Sequence, residues 1–477
     1  MTRHQAGENL PPETLVQQLA DFVVATDYDH LSETAREQLK IRILDALGCA
    51  IGALDGEPVL LVREQVDDFG GTGHCTLIGG GRSAPDRAAF YNGTLVRYLD
   101  FNDSYLAPHE TCHPSDNLAP VLAAAEYAGI DGKEMLAALA AAYQVHCRLS
   151  DVAPVRAKGF DHTTQGSYAV AAGVSRALGL DAVHTANALA IAGTALNALR
   201  VTRTGILSHW KGLAYPNTAF GATHAAFLAK RGITGPLEVF EGNKGFMDAI
   251  AGQFEIDWSQ EDLERVRHTI VKKYNAEIHS QSAIEAILDM AAQHRFTADD
   301  VEQIEIDIFR VAFNIIGGGE EGDKTVVLTK EEADHSLPYI VAVALLDGQV
   351  TPAQYEPERI NRPDVQKLLR RVVVHPSPDF SARFPDEMPC RLTVTLHDGT
   401  QIVEEKPDYE GFHTRLPRWT SAVAKFDWLS APFTSETLRS EIADAVENLE
   451  SISVRDLMSL LARVEPVRRP PSGAKGA

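Results

Sequence analysis

The chain has 477 residues, 44% of them hydrophobic and 23% charged, which excludes a fibrous or wholly disordered protein and allows a sizeable core. Asp plus Glu outnumber Lys plus Arg by 66 to 44, a formal charge of −22, so the summed field repels nucleic acid and acidic membrane surfaces. Five scattered cysteines without a C-x-x-C pair, no apolar leader and no run of about 18 apolar residues point to a reducing, cytoplasmic setting with no membrane span.

From Pro12 to about Arg265 apolar residues recur at three- and four-residue spacing, as in Leu15, Leu19, Phe22 and Val23, which predicts helices. Ser32 is placed to cap a second helix running through Leu39, Leu44 and Leu47 to Gly52. The Ala-rich segments Met135 to Val145 and Ala188 to Leu199 are apolar nearly all round, the pattern of helices inside a large bundle. After about Ile270 the texture changes. Ile304, Ile306 and Ile308 alternate with Glu305 and Asp307, Val372 to Val374 is a second strand candidate, and Leu392, Val394 and Leu396 alternate before an Asp398-Gly399 turn that returns through Ile402. Helical patterns at Ser282 to His294, Ser336 to Leu346 and Pro363 to Arg370 lie among these strands, and further helices follow at Ser435 to Asn448 and Val454 to Ala462. The predicted class is therefore mostly α: a large all-helical domain plus a smaller α+β lid domain inserted before the C-terminal helices. The predicted boundaries are 1–268 and 406–465 for the helical domain, 269–405 for the lid, and 466–477 for a disordered tail.

The densest cluster of reactive side chains runs from Asp100 to Asn117, with three aspartates, a glutamate, His109, His113 and Cys112 in eighteen residues. Pro108 and Pro114 argue against one continuous helix, so the cluster reads as a loop carried on a rigid scaffold. His109 and His113 have the i, i+4 spacing of a metal pair, but the prolines spoil the helix that spacing requires and no third ligand is fixed. A capping loop in which Asp103, Ser104, Ser115 and Asp116 satisfy backbone donors is the bland alternative. Arg200, Arg203, His209 and Lys211 form a second grouping, and Lys272 and Lys273 precede Glu277 and His279. Each is either a local cationic pocket for a small anion inside an acidic shell or a solvated basic face. His162, and His335 with Tyr339, are weaker in isolation. No dinucleotide fingerprint, Walker loop or G-x-S-x-G elbow occurs.

The strings Leu99-Asp-Phe-Asn-Asp-Ser104 and His113-Pro-Ser-Asp-Asn-Leu118 resemble the signature of the MmgE/PrpD family. That family includes 2-methylcitrate dehydratases, cis-aconitate decarboxylase and an iminodisuccinate epimerase. The resemblance extends through Leu44-Asp-Ala-Leu-Gly-Cys49, Leu199-Arg-x-x-Arg203, Lys211, Ala276-Glu-Ile-His-Ser-Gln281, and Asp334-His335 with Tyr339. It implies a helical domain with a smaller α+β lid, a cleft between them, a homodimer, and lyase or isomerase chemistry on a small di- or tricarboxylate without a required cofactor or metal. It also implies active-site residues at Asp100, Ser104, His113, His162, Lys211 and Lys272. Glu277, Asp116 and Asn117 resemble the dehydratases more than the decarboxylase. Ser104, where threonine is usual, and Pro108 to Cys112, with one extra residue, depart from the dehydratase pattern.

On this reading Asp100, His113, His162, Lys211 and Lys272 are catalytic, and Ser104, Arg200, Arg203, Glu277, His279, His335 and Tyr339 bind substrate. Dehydration of a hydroxy-tricarboxylate needs a base for a carbon-bound proton, an acid for the departing hydroxyl, and fixed cations for the charge that develops. Arg200, Arg203, Lys211 and Lys272 suit the last task, and His113 or His162 either of the first two. Decarboxylation or epimerisation on the same fold is the alternative, and an inert helical binding scaffold is the alternative of another class.

Overall fold

The computed structural model describes residues 13–204, 208–320 and 322–465; the segment 466–477, for which the sequence predicts a disordered tail, lies outside them. The chain is mostly α-helical and divides into two units. The first takes in the described residues up to Asp100, then His109–Val266, and those from Phe426 onward; the second takes in Phe101–Pro108 and Arg267–Lys425. Strand-bearing sequence thus interrupts a helical body, and residues 101–108 go with the second unit.

The first unit contains α1 (Leu15–Ala25), α2 (Glu33–Gly52), α3 (Glu57–Phe69), α4 (Pro85–Tyr98), α5 (Leu118–Ala128), α6 (Gly132–Val152), α7 (Thr163–Ala177), α8 (Ala182–Ala195) and α9 (Trp210–Ala229), with Glu436–Glu447 and Val454–Leu461 added from far along the chain. Side-chain caps set several helix starts by satisfying otherwise orphaned N–H groups. Ser32 Oγ accepts from Ala35 N at 3.1 Å, Asp131 Oδ1 from Glu134 N at 3.0 Å and Asp181 Oδ1 from His184 N at 2.9 Å. As their composition requires, α6 and α7 are buried along almost their whole length. The apolar pattern suggests helix as far as Leu199, yet α8 stops at Ala195. Leu196 leaves helical geometry at φ −120° and Asn197 Nδ2 donates to Gly193 O at 3.1 Å, covering a carbonyl that the helix no longer satisfies.

In the second unit α10 (Gln281–His294), β1 (Val301–Ile308), α11 (Leu337–Asp347), β2 (Val372–Pro376), β3 (Cys390–Leu396) and β4 (Gln401–Lys406) build one mixed sheet with its helices. The strand order is β2-β1-β3-β4. β1 and β2 run parallel, Ile306 opposite Val374, because the chain crosses over through α11; β3 is antiparallel to both β1 and β4. Gly399, at φ +86°, makes the left-handed turn between β3 and β4. Ile304, Ile306, Ile308, Leu392 and Val394 point from the sheet into a core shared with Ile284, Ile287, Ile340 and Val343. Full burial of such a side chain is worth about 1.5–3 kcal/mol. β1 starts three residues earlier than its Ile alternation indicates, since an irregularity in register between Val301 and Gln303 breaks the period of two.

Candidate active site

Reactive side chains of the first unit gather where α4 ends and α5, α7 and α9 begin. Asp100 follows α4 with φ +52°, a left-handed conformation uncommon outside glycine, and its carboxylate is ion-paired with that helix. Arg97 Nη1 donates to Asp100 Oδ1 at 2.6 Å, and Lys211 Nζ, from the first turn of α9, lies 3.6 Å from Asp100 Oδ2. Arg97 is only 3% exposed. Burial works against its charge, but Asp100, Asp116 and Asp161 outweigh that penalty and raise its pKa. Its Nη2 lies 3.1 Å from His113 Nε2. A guanidinium only donates, so Nε2 accepts, and a neutral His113 carries its proton on Nδ1.

A second group adjoins through the rings. His113 and His162 are 5.4 Å apart between centroids, edge to face. His162 is buried, Nδ1 lies 3.2 Å from Asp161 Oδ1, and Nε2 has no hydrogen-bond partner among the described residues. Burial drives its pKa well below the ordinary imidazole value; Asp161 opposes this, while Arg203, His146 and Arg97 add to it. Asp161 is fully buried and receives Arg203 Nε at 2.9 Å, Arg203 Nη2 at 3.4 Å and Thr163 N at 3.3 Å. Its burial favours the neutral acid, but His162, Arg203 and the Thr163 N–H outweigh it and hold the pKa below the carboxylate range. Arg203 Nη1 also donates to Lys211 O at 2.9 Å, and Arg200 Nη1 stands 3.8 Å from Asp161 Oδ2. An antiparallel bridge between Phe160 and Leu199 brings these two stretches of chain together.

Beneath lie His146 on α6 and Tyr215 on α9. The Tyr215 hydroxyl donates to Asn117 Oδ1 at 2.9 Å, and Asn117 Nδ2 donates to Pro114 O at 2.9 Å and to His146 Nδ1 at 3.3 Å. Burial alone would raise the Cys112 thiol, but contacts with Cys147 and His146 bring its pKa down to about 6. His146 moves upward against its own burial because Cys112 faces it.

The second unit holds the remaining predicted residues. Ser104 and Ile270 exchange backbone hydrogen bonds at 2.8 and 2.7 Å. Lys272 is 6% exposed, and Lys425 Nζ donates to its carbonyl at 2.9 Å and to Phe101 O at 2.8 Å. Glu277 Oε1 lies 2.6 Å from His279 Nδ1; burial would raise the Glu277 pKa, but His279 and His335 lower it. His335 pairs with Asp334, and the Tyr339 hydroxyl donates to the Gln354 carbonyl within the core.

The predicted residues therefore sort into two groups. Asp100, His113, His162, Lys211, Arg200 and Arg203 belong to the first unit, and Ser104, Lys272, Glu277, His279, His335 and Tyr339 to the second. The stretch from Asp100 to Asn117 is not a plain loop: Tyr105–Ala107 and Glu110–Cys112 are strands and Pro114–Asn117 is a 3-10 turn. His109 and His113 consequently share no helix face, and no three His, Cys, Asp or Glu side chains among the described residues could hold a metal ion together. Sequence reasoning missed Arg97, Asp161, His146 and Tyr215. Only Asp161, directly before His162, carried a local signal.

Comparison with known proteins follows the same division. A model described as the MmgE/PrpD N-terminal domain matches residues 17–259, and one described as the MmgE/PrpD C-terminal domain matches residues 274–451. The chain is 28% identical to the mitochondrial 2-methylcitrate dehydratase of Yarrowia lipolytica, over 84% of this chain and 81% of that protein. It is 29% identical to the 2-methylcitrate dehydratase of Cupriavidus necator, over 85% and 87%. Similarity to the cis-aconitate decarboxylase of Mus musculus is 26% identity over 92% and 90%. No helix among the described residues is long and apolar enough to cross a membrane.

Proposed function

The chain belongs to the MmgE/PrpD family, and from that premise we propose that it is a lyase that dehydrates 2-methylcitrate or a related hydroxy-tricarboxylate to the corresponding cis-aconitate-type alkene. The observation that carries this reading is the pair of buried His162 and half-buried His113, 5.4 Å between centroids, set among Arg97, Lys211 and Asp100. Loss of water from such a substrate removes a proton from the carbon beside a carboxylate and a hydroxide from the next carbon. That demands an imidazole-strength base, a proton donor and fixed positive charge in one buried place. Asp100, His113, His162 and Lys211 serve the proton transfers, with Lys272 as a further cation. Ser104, Arg200, Glu277, His279 and His335 bind the substrate carboxylates and hydroxyl. No cofactor is required on this reading, which follows the family resemblance, as do a homodimer and a cytoplasmic setting.

Glu277, Asp116 and Asn117 favour dehydration. The likeness to the mouse decarboxylase over 92% of this chain favours decarboxylation of a cis-aconitate-type acid as the second reading. Chelator-treated protein mixed with 2-methylcitrate is expected to raise the ultraviolet absorbance of a conjugated alkene. A flat trace, with carbon dioxide released from cis-aconitate, would transfer the assignment to the second reading.

A further inference from the structure

We propose that Asp161 is a positioning residue that holds His162 as its Nδ1–H tautomer, so that the Nε2 lone pair takes the carbon-bound proton, and that Arg203 acts on Asp161 and not on substrate. This rests on the lyase reading above for the reaction, but the tautomer it asserts is a property of the unliganded protein.

Three observations converge. Asp161 Oδ1 stands 3.2 Å from His162 Nδ1, and the opposite nitrogen, Nε2, is buried without a hydrogen-bond partner among the described residues. A carboxylate only accepts, so its neighbour nitrogen is the one that bears the proton, and the other is left as a base. Both oxygens of Asp161 are gripped by Arg203, at 2.9 and 3.4 Å, while the remaining guanidinium nitrogen donates to Lys211 O. An arginine with all three nitrogens engaged by its own chain is a clamp and has little left for a ligand carboxylate. Finally, His113 differs from His162 in kind, since Arg97 donates to its Nε2 at 3.1 Å. The two histidines are thereby distinguished: His162 Nδ1 faces an acceptor and His113 Nε2 faces a donor.

Charged and titratable groups face His162 from every side. They are Asp161 beside it, Arg203, His146 on α6, Arg97 on α4 and Tyr215 on α9, stacked at 6.1 Å between centroids, with the His113 ring edge-on. Of these only Asp161 favours an imidazolium, so it supplies the stabilisation needed once Nε2 has accepted the proton. In the step, the electron pair of the broken C–H bond forms the new C=C bond and the C–O bond breaks. The hydroxide leaves as water after protonation by the Lys211 ammonium, and the proton on His162 returns to solvent and Lys211 is reprotonated between turnovers.

Asp161→Asn tests the assignment in the full-length protein. Expected are a fall in kcat of at least 100-fold, a KM within about threefold, unchanged circular dichroism, and an acidic limb of the kcat profile moved to lower pH, with partial recovery in Asp161→Glu. Nitrogen-15 NMR of histidine-labelled protein, with His162 identified by its loss in His162→Gln, is expected to show a pyrrole-type Nδ1 and a pyridine-type Nε2. A folded Asp161→Asn with kcat within threefold of wild type would overturn the proposal. So would a pyridine-type Nδ1 in the wild type, a result that stands even if Asp161→Asn does not fold. Wild-type protein that turns over neither 2-methylcitrate nor cis-aconitate would sink the lyase reading alone, and the NMR spectrum would still decide the tautomer.

Discussion

Gly166, in the first turn of α7, is where the side chains around His162 leave no room for one more carbon. A Cβ at this position would lie 2.5 Å from Tyr215 Cε2, and Tyr215 holds Asn117, which in turn donates to His146. Gly166→Ala is expected to destabilise the protein by about 1–3 kcal/mol, the usual cost of overpacking, and to reduce turnover at least tenfold by displacing the ring. Calorimetry and steady-state assays check both, and unchanged values would show that the ring yields freely. At this scale Asp100 and His113 stood out by residue type in a dense cluster of reactive side chains. His162 was weak in isolation and Lys211 read equally as part of a solvated basic face, and both were singled out through the family resemblance. Arg97 did not stand out, because an arginine near the end of an amphipathic helix reads as a solvated charge. Its burial goes with Asp100 turning back at positive φ, which residue type alone does not reveal, and with Asp116 arriving from nineteen residues further along the chain.

Helix starts were readable at Ser32, Ser336 and Ser435, which cap the helices they precede, but not at Asp131 or Asp181, whose helices begin several residues before their apolar runs. Asp131 caps α6 through Glu134 N at 3.0 Å, and Asp131→Ala is expected to cost about 1 kcal/mol, within the range for lost caps. Chemical denaturation should show a lower midpoint with an unchanged slope; an unchanged midpoint would mean that packing alone fixes the start of α6. The hairpin between β3 and β4 was equally plain, since Asp398-Gly399 supplies the turn chemistry. Elements shaped by long-range contacts were harder to read. The first residues of β1 are hidden by a break in the alternation that only its pairing with β3 produces, and α8 ends inside an apolar run because Asn197 covers its last carbonyls.

For the molecule as a whole, acid is the expected weakness of the second unit. Glu285 accepts from Lys273 at 3.0 Å and pairs with Arg415, while Glu410 accepts from Arg418 at 3.1 Å and from Ser421 at 2.5 Å. Burial opposes the charge on Glu410, yet Ser421 and Arg418 outweigh it and lower its pKa from 4.5 to about 2; Glu285 moves in the same direction. A carboxylate with a depressed folded-state pKa contributes fully above its unfolded value and loses that contribution as pH falls through the folded one. The contribution of Glu285 and Glu410 should therefore be kept down to about pH 4.5 and be lost from there towards pH 2, so that the melting temperature falls across this range and Glu285→Gln flattens the fall. A melting temperature constant to pH 3 would contradict this. Composition and the change of periodicity near Ile270 made the helical body and its interruption legible, but the transfer of residues 101–108 to the second unit was not, because it is settled by the pairing of Ser104 with Ile270.

The interruption also sets an order of assembly during translation. The start of α6 is completed from far along the chain: Gly132 N donates to Ile452 O at 3.0 Å, and a Cβ on Gly132 would lie 1.8 Å from Leu449 O. A ribosome that has finished Val266 must add roughly 200 more residues before these partners exist, a wait of about 10–40 s at ordinary elongation rates. Through that interval the second unit can be completed while the older, larger one cannot. The nascent helical body is thus exposed as an unfinished surface for chaperones to hold.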